Sequence, residues 1–477
     1  MATNNENLHG RKVIYSLYEE VTDDNIVEIL ENAYPIHVVN CAQIDYLFNY
    51  YKGIQPILNR KKKIRKEINN KIVENHANAM VQFKTGYLLE HPIQYVARKD
   101  GVDNDSIAYL NDCMVIEDKE NKDKKIANDQ AICGTAYRLC LPNKFYLGDN
   151  EESPFKIYSI NPKSAFIIYS SDIGNEPLVG VITHTRKNLN GIEETVCQAY
   201  TKNKLYEYVI GSRTEVKSTS HIYNEIPLVE YPFNNERMGV FEVVISLLDS
   251  ANNVESNRLD AVEQFVQALL VFKNVDMKKE DLTALLELGA IKISDDGVVQ
   301  ANVEYLVQEL NQEQVQKLKD DMLDIAYYIA GVYRNKNNGS VGNSQGAVIM
   351  RDGWSNIEAR TQETELMFKS RERIFLKLAL RFMRILTSNN YSIRLGELEI
   401  KFTRRNYENT YQKTQVLTMM LKEPKIAPRL AFVHCGLFND PEEAYNESEI
   451  AYQKYLQEQK ELNASTSTNK EGATNEN

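Results

Sequence analysis

The chain has 477 residues, of which 43% are hydrophobic and 26% are charged, so its length suffices for several domains with sizeable cores. Its formal net charge of -11 argues against a protein that grips nucleic acid through its whole surface, because such affinity comes from neutralising phosphates. The N-terminus lacks a signal-peptide pattern, and no apolar run is long enough to predict a membrane span. The six cysteines are scattered without a C-x-x-C pair, and we expect reduced thiols in a cytoplasmic setting.

The first part of the chain predicts helices. Residues 22–51 have apolar positions at helical spacing, with Thr22 or Asp23 as N-cap, and we expect Pro35 to interrupt the run. Residues 69–89 and 103–139 show the same periodicity.

Between residues 155 and 229 the pattern changes to short β-branched or alternating runs such as FKIYSI, AFIIYS and LVGVITHT. Gly, Asn and Pro separate these runs, which is typical of antiparallel sheet. The first half of the chain is therefore predicted to be an α+β domain.

Two long helices are predicted around a small insert. Residues 238–272 form a helical run whose centre, NNVESNRLD, is polar while both ends are apolar. Residues 273–310 predict a strand, a helix and two further strands. A second helix then runs from Gln312 to about Tyr333. Its apolar stripe consists of Val315, Leu318, Met322, Ile325 and Ile329.

A polar loop joins this second helix to a third, over residues 355–386. The loop consists mostly of Asn, Ser and Gly, which cannot bury enough apolar surface to fold alone, so we expect a moving or ligand-facing segment. The following part of the chain predicts helices separated by prolines. Beyond about Leu462 the composition predicts disorder.

Four segments together resemble the portal proteins of long-tailed double-stranded-DNA bacteriophages, of the type found in phages of Gram-positive bacteria. They are the early run RKKKIRKEINNKIVENHANAMVQFKTGYLLEHPIQY, the helix–insert–helix order from Met238 to Tyr333, the run SVGNSQGAVIMRDGWSNIEARTQETELMFKSRERIFLKL, and IKFTRRNYENTYQKTQVLTMML followed by LFNDPEEAY. No single motif is diagnostic, but their order and spacing jointly are specific.

The resemblance implies a phage portal fold, α+β in class, assembled as a ring, usually a dodecamer, around a DNA channel. Carried onto this sequence, it implies a wing (1–237), two stem helices (238–272 and 311–334), a clip (273–310), a tunnel loop (335–353), a long wing helix with a return strand (354–400), a helical crown (401–462) and a disordered tail (463–477).

The same resemblance implies roles for particular residues. The channel-lining residues of the tunnel loop would be Lys336, Asn337, Asn338, Ser340, Asn343, Ser344 and Gln345. The residues themselves suggest a hinge, with Gly342, Gly346 and Gly353 allowing the loop to move and Trp354 as a fixed post, where Ser355 and Glu358 would form a capping box at the start of the third helix. The alternative is that Trp354 serves only core packing. Contacts to an adaptor or a neighbouring subunit would come from Lys278, Lys279, Leu282, Leu285, Ile291 and Ile293 in the clip.

The implied partners are further copies of the chain, double-stranded DNA passing through the channel, a terminase, a head–tail adaptor, and major capsid and scaffolding proteins. The implied location is the portal vertex of the virion, with assembly in the host cytoplasm. We expect no membrane partner and no cofactor.

An acidic subunit with a neutral loop suits a channel in which DNA slides, because each neutralised phosphate would strengthen binding. The one dense basic run consists of Arg60, Lys61, Lys62, Lys63, Arg65 and Lys66. We favour a solvated helix face beside acidic neighbours over a contact with packaged DNA.

Catalytic alternatives find little support. Residues 342–346, GNSQG, match the G-x-S-x-G nucleophile elbow, but the preceding RNKNNGSV is not a strand, so a serine hydrolase at Ser344 is disfavoured. The sequence has no Gly-Lys dipeptide and hence no phosphate-binding P-loop. Its seven histidines are widely separated, which argues against a metal site. A second structural class, another ring component of the head–tail connector, stays open, although such proteins are usually shorter and lack a helix–insert–helix unit.

Overall fold

The computed structural model describes residues 8–63, 66–98, 104–148, 151–187, 191–211, 216–266, 269–273, 302–306, 312–334, 354–387, 393–404, 410–438 and 441–471. The helices of these parts are α1 Ile26–Tyr51, α2 His76–Leu88, α3 Asn104–Ile116, α4 Lys119–Cys133, α5 Ile245–Val266, α6 Gln312–Ala330, α7 Trp354–Leu386, α8 Thr410–Lys422, α9 Pro428–Cys435 and α10 Pro441–Glu471. The fold is mixed α+β, as predicted.

The strands form several separate sheets. They are β1 Ile14–Ser16, β2 Gln94–Ala97, β3 Thr135–Pro142, β4 Phe155–Ile160, β5 Ala165–Ser170, β6 Pro177–Lys187, β7 Glu193–Tyr200, β8 Lys204–Val209, β9 Lys217–Ser220, β10 Leu228–Pro232, β11 Leu269–Lys273, β12 Asn302–Leu306 and β13 Leu398–Lys401. The largest sheet has the order β1-β5-β6-β7-β8-β9, and smaller ones pair β10-β3-β4, β11-β12 and β13-β2. Every pairing is antiparallel except that of β1 with β5.

Pro35 lies inside α1 and does not interrupt it, contrary to the prediction. A proline removes one helical hydrogen bond, but burial on both sides of it holds this helix together. Ile29 and Leu30 pack against the large sheet, whereas Ile44 and Leu47 pack against α2 and the start of α5. Tertiary packing therefore overrides the local signal.

The predicted helix over 103–139 is two helices and the start of a strand. The break between α3 and α4 falls at Asp118, which has a left-handed φ of 48°. Gly134, with a φ of 80°, ends α4, and a Cβ at this position would lie only 1.9 Å from the Arg237 carbonyl oxygen. Glycine is required here because the chain turns directly under another backbone segment into β3.

The long helices end at other residues than the sequence predicted. The predicted helix over 238–272 is shorter: α5 ends at Val266, and residues 269–273 form β11, which pairs with β12. The α6 helix ends at Ala330 rather than near Tyr333, because Gly331 adopts a φ of 62°. The third predicted helix matches α7. The last helix, α10, continues to Glu471, beyond the point at which composition predicted disorder.

Three buried clusters form most of the core of the described residues, and one of them holds the helices α5 and α6. One packs α7 against α3, α4 and β3, and another packs the first half of α1 against the large sheet. In the third, the end of α6 and the start of α5 pack with α2, α4 and the second half of α1. The two helices α5 and α6 therefore start from a well-packed base.

Candidate channel and assembly surface

Most residues that the sequence assigns to the channel and the clip lie outside the described residues. This applies to Lys336, Asn337, Asn338, Ser340, Asn343, Ser344 and Gln345, to the glycines Gly342, Gly346 and Gly353, and to Lys278, Lys279, Leu282, Leu285, Ile291 and Ile293. Trp354 is the first residue of α7. The described structure shows instead how the two ends of residues 335–353 are anchored.

The α6 end of this segment is held by Arg334. Its guanidinium lies 2.7 Å from a carboxylate oxygen of Asp320 and 2.7 Å from one of Asp324, so the chain folds back along α6. Arg360 of α7 donates to the Ile329 carbonyl oxygen at 2.6 Å. The same arginine packs so closely on Gly331 that a Cβ there would lie 2.6 Å from its Cδ. The end of α6 is thereby fixed to the start of α7.

The α7 end is held by Glu358, and the predicted capping box with Ser355 is wrong. Ser355 lies within the first turn of α7 rather than before it. Glu358 accepts hydrogen bonds from the Tyr87 hydroxyl at 2.5 Å and from Arg404 at 2.7 Å. Its carboxylate therefore ties the first turns of α7 to α2 and to the segment after β13.

A polar strap, residues 55–75, runs along α5 and satisfies its polar centre. The backbone N–H groups of Asn70, Ile72 and Glu74 donate to Asp260 (2.7 Å), Ser256 (3.0 Å) and Asn252 (2.9 Å) of α5. These three α5 residues are four apart and so share one helix face. Asn252 and Ser256 are fully buried. One polar face of α5 is therefore buried within the subunit, whereas Asn253 and Asn257 on the other side of the helix are exposed.

The same strap explains the beginning of α2. Residues 69–75 were predicted to be helical, but their N–H groups bond to α5, so α2 begins only at His76. The spacing of Asn252, Ser256 and Asp260 was a usable signal for such a contact. The sequence interpretation missed it, because residues 69–75 continue the helical spacing of apolar residues seen in α2.

The described residues of the basic run, 60–63 and 66, belong to this strap and are not helical. Arg60 lies 3.0 Å from an Asp260 carboxylate oxygen, and Lys62 pairs with the same residue. The predicted helix face is therefore wrong, although the expected acidic neighbour is present. Ile64 and Arg65 lie outside the described residues.

At the base of α5 and α6, Lys319 bridges two carboxylates. Its ammonium lies 2.8 Å from Glu74 and 2.7 Å from Glu255, which joins the strap, α5 and α6. A hydrogen bond from His76, followed by those from Lys319, lowers the pKa of Glu74 to about 2 against the effect of burial. Further along, Arg258 donates to Gln312 at 2.8 Å and to Gln316 at 2.6 Å. The contact between the two helices is therefore polar at this level, whereas the start of α5 and the end of α6 meet in a hydrophobic cluster.

The α6 helix has one buried face and one exposed apolar face. On the buried face, Leu323 and Ala326 are at most 1% exposed. The apolar stripe seen in the sequence lies on another face: Leu318 is 54% and Ile325 is 51% exposed. A row of exposed aliphatic side chains on one helix marks an interaction surface rather than a core.

Both helices are acidic. The α5 helix contains four acidic residues and one arginine, and α6 contains four acidic residues and two lysines. The acidic residues are Asp249, Glu255, Asp260 and Glu263 in α5, and Glu313, Asp320, Asp321 and Asp324 in α6. Several of these carboxylates are paired within the subunit: Asp260 with Arg60 and Lys62, and both Asp320 and Asp324 with Arg334. The remaining excess of negative charge disfavours tight binding of DNA phosphates.

A buried ionic cluster joins α4, β3 and α7 behind this surface. The Arg138 guanidinium lies 2.8 Å from a Glu372 carboxylate oxygen, and Lys119 lies 2.8 Å from the other oxygen. Burial alone would raise the pKa of Glu372, but the charges of Arg138 and Lys119 lower it to about 2. Every formal charge has a partner, which suits a structural element better than a reactive one.

Within the described ranges, no group of three or more His, Cys, Asp or Glu side chains is arranged to hold a metal ion. In the same ranges, no helix combines the length and apolar character needed to cross a membrane.

This architecture of two stem-like helices on an α+β base belongs to a known class of assembly protein. Residues 33–471 match the family model described as "Phage portal protein, SPP1 Gp6-like". The chain therefore belongs to the SPP1-like phage portal family.

Two relatives agree with this assignment. The portal protein of Bacillus phage SPP1 is 19% identical over 413 residues, covering 83% of this chain and 78% of the relative. The portal protein of Clostridium phage phiCD119 is 21% identical over 434 residues, covering 87% of this chain and 90% of the relative. Both phages infect Gram-positive hosts, as the resemblance in the sequence implied.

Proposed function

We propose that the chain is the subunit of a homo-oligomeric ring at the portal vertex, through which double-stranded DNA enters during packaging and leaves during ejection. The observation that carries this proposal is the family match over residues 33–471. Non-catalytic function accords with the family, whose role is structural. The terminase, the head–tail adaptor, and the capsid and scaffolding proteins are partners that portal function requires.

The described helices support a ring with a channel. A closed ring needs two complementary patches on each subunit. The exposed aliphatic stripe of α6 can supply one of them. The acidic charge of α5 and α6 favours sliding of DNA over tight binding. The strap leaves α6, rather than the polar face of α5, to meet a neighbour.

Residues 335–353 are proposed as the tunnel loop, with Trp354 as its fixed end and the glycines as hinges. Support comes from the anchors on both sides, because Arg334 holds the chain against α6 and Arg360 fixes the end of α6 to α7, while the segment between them is polar and glycine-rich. The clip, residues 273–310, is proposed to complete its core between subunits, because so short a segment buries a small fraction of its surface alone.

The test is electron microscopy of the purified full-length chain under assembly conditions. End-on class averages should show a ring with a central hole, and its symmetry gives the subunit number. A compact monomer at every concentration would contradict the proposal. A ring that does not support packaging with its terminase would instead favour another component of the head–tail connector.

The loop assignment has a separate test. Deletion of residues 337–341 should leave rings intact and impair DNA packaging. Loss of the ring itself would show that the loop is structural.

A further inference from the structure

A cavity of about 450 Å³ lies in the α+β base, away from the stem helices. It opens between β1, the edge strand of the large sheet, and the side of α7. Its volume is within the range of roughly 300–1,000 Å³ typical of ligand pockets. Aliphatic side chains from three elements form its walls: Val13, Ile167, Ile226, Leu228 and Ile374.

Arg371 of α7 lines this cavity without a partner. Its Nε is buried, and in the described part of the chain the side chain makes no hydrogen bond or ion pair. A buried guanidinium nitrogen without an acceptor is costly, so such groups are normally paired. The position therefore calls for an acceptor from outside the described chain.

The carboxylates nearby are already engaged. Glu230 accepts from both Nε and Nη2 of Arg237 at 2.8 Å, and also from the Tyr169 hydroxyl and Thr135. Glu225 pairs with Lys377 of α7, and Glu176 lies 3.4 Å from Lys202. None of these three therefore serves Arg371.

The charge of the walls selects the kind of ligand. The lining has three cations, Lys202, Arg237 and Arg371, against three carboxylates, Glu176, Glu225 and Glu230. A dianion such as phosphate would meet three carboxylates, whereas a monocarboxylate needs one free guanidinium and can form two parallel hydrogen bonds with it. The aliphatic walls suit the methylene groups behind such a carboxylate.

We propose that an acidic side chain of a second copy of the chain enters this cavity in the assembled ring and pairs with Arg371. This inference rests on the proposed function, since it requires neighbouring copies. The chain has a formal net charge of -11, so each copy offers its neighbour an excess of carboxylates. The mouth of the cavity is accessible, because Tyr15 of β1 is 50% exposed there.

The test compares Arg371→Gln with Arg373→Gln, a matched control two residues along the same helix that is exposed to solvent. Ring formation is measured by mass photometry over a series of protein concentrations. Arg371→Gln should raise the concentration for half-assembly about tenfold or more, since a charged hydrogen bond is lost. Arg373→Gln should leave it unchanged, and Arg371→Lys should fall between the two.

Butyrate serves as a soluble stand-in for the acidic side chain. It should raise the half-assembly concentration of the unsubstituted chain more than chloride or phosphate does at equal ionic strength, and have no such effect on Arg371→Gln. If the Arg371→Gln monomer melts at a lower temperature than the unsubstituted monomer, its loss of assembly could reflect misfolding. The butyrate measurement on the unsubstituted chain then decides whether a carboxylate pairs with Arg371. Absence of a butyrate effect would then overturn the proposal.

The outcomes separate this inference from the proposed function. Rings that form equally well from Arg371→Gln and Arg373→Gln overturn the inference and leave the portal function standing. Failure of the unsubstituted chain to form rings at all overturns both. Butyrate that binds without affecting assembly overturns the second copy as the source of the carboxylate.

Discussion

The helices α5 and α6 lie side by side, yet they use polarity in opposite ways. One polar face of α5 is buried within its own subunit by the strap of residues 55–75, whereas the aliphatic stripe of α6 is exposed. An isolated subunit thus places polar atoms inside and apolar atoms outside at this point. Such an inversion is expected of a chain that assembles as proposed, because a neighbouring subunit would then cover the stripe.

The largest effect should come from Ile325→Asp on the exposed stripe. A carboxylate buried without a partner at a subunit interface is strongly unfavourable, so rings should be lost, with at least a hundredfold rise in the half-assembly concentration. The monomer should melt within a degree or two of the unsubstituted chain, because Ile325 is half exposed. Sedimentation and thermal melting measure the two quantities.

The contrast is sharpened by Leu323→Ala, two residues earlier on the buried face of α6. This substitution should destabilise the subunit by about 2–5 kcal/mol through cavity formation. Normal rings from Ile325→Asp would show that the stripe is not an interface.

A smaller effect is expected for Asn252→Leu on the buried face of α5. Asn252 accepts from the Glu74 N–H and donates to Gln55 at 2.5 Å, and both partners would be left unpaired. The free energy of unfolding should fall by about 3 kcal/mol, measured by urea denaturation.

The matched control is Asn253→Leu on the exposed side of the same helix, which should change that free energy by less than about 0.5 kcal/mol. Equal losses in the two variants would show that the strap does not hold α5.

The sequence predicted those elements whose pattern is local. The runs predicted as strands between residues 155 and 229 are strands β4 to β8 and β10, whereas β9, Lys217–Ser220, was not predicted. The α7 helix, with its apolar periodicity, was also placed within a residue at its start. By contrast, residues 269–272 were assigned to a helix, because only the pairing of Leu269–Lys273 with Asn302–Leu306, a segment distant in the chain, makes them a strand.

The assembly surface was predictable only in part. The stripe of Leu318 and Ile325 was visible in the sequence, but periodicity cannot tell whether an apolar face meets the same subunit or another. The strap was missed because its hydrogen bonds come from backbone N–H groups, which carry no residue signal. Arg371 gave no signal either, since a buried arginine and a solvated one look alike in sequence.

The smallest predicted effect concerns the pH dependence of the junction between the strap and the two helices. The hydrogen bond from His76, followed by those from Lys319, lowers the pKa of Glu74 from its ordinary 4.5 to about 2. A carboxyl group whose pKa is depressed on folding stabilises the folded state above pH 4.5, and this contribution is lost as the pH falls towards 2. Because Glu74 is partly exposed, solvent screening should keep the effect below about 1 kcal/mol.

Urea denaturation from pH 7 to pH 3 tests this expectation on the unsubstituted chain and Glu74→Gln. The variant should be less stable at pH 7, and the difference should shrink below pH 4.5, since the unsubstituted carboxyl group then becomes neutral on unfolding. Glu313→Gln, an exposed position on α6, serves as the control with no such convergence. A constant difference across the pH range would mean that Glu74 contributes through packing rather than charge. In that case the polar junction would depend mainly on the backbone bonds of the strap.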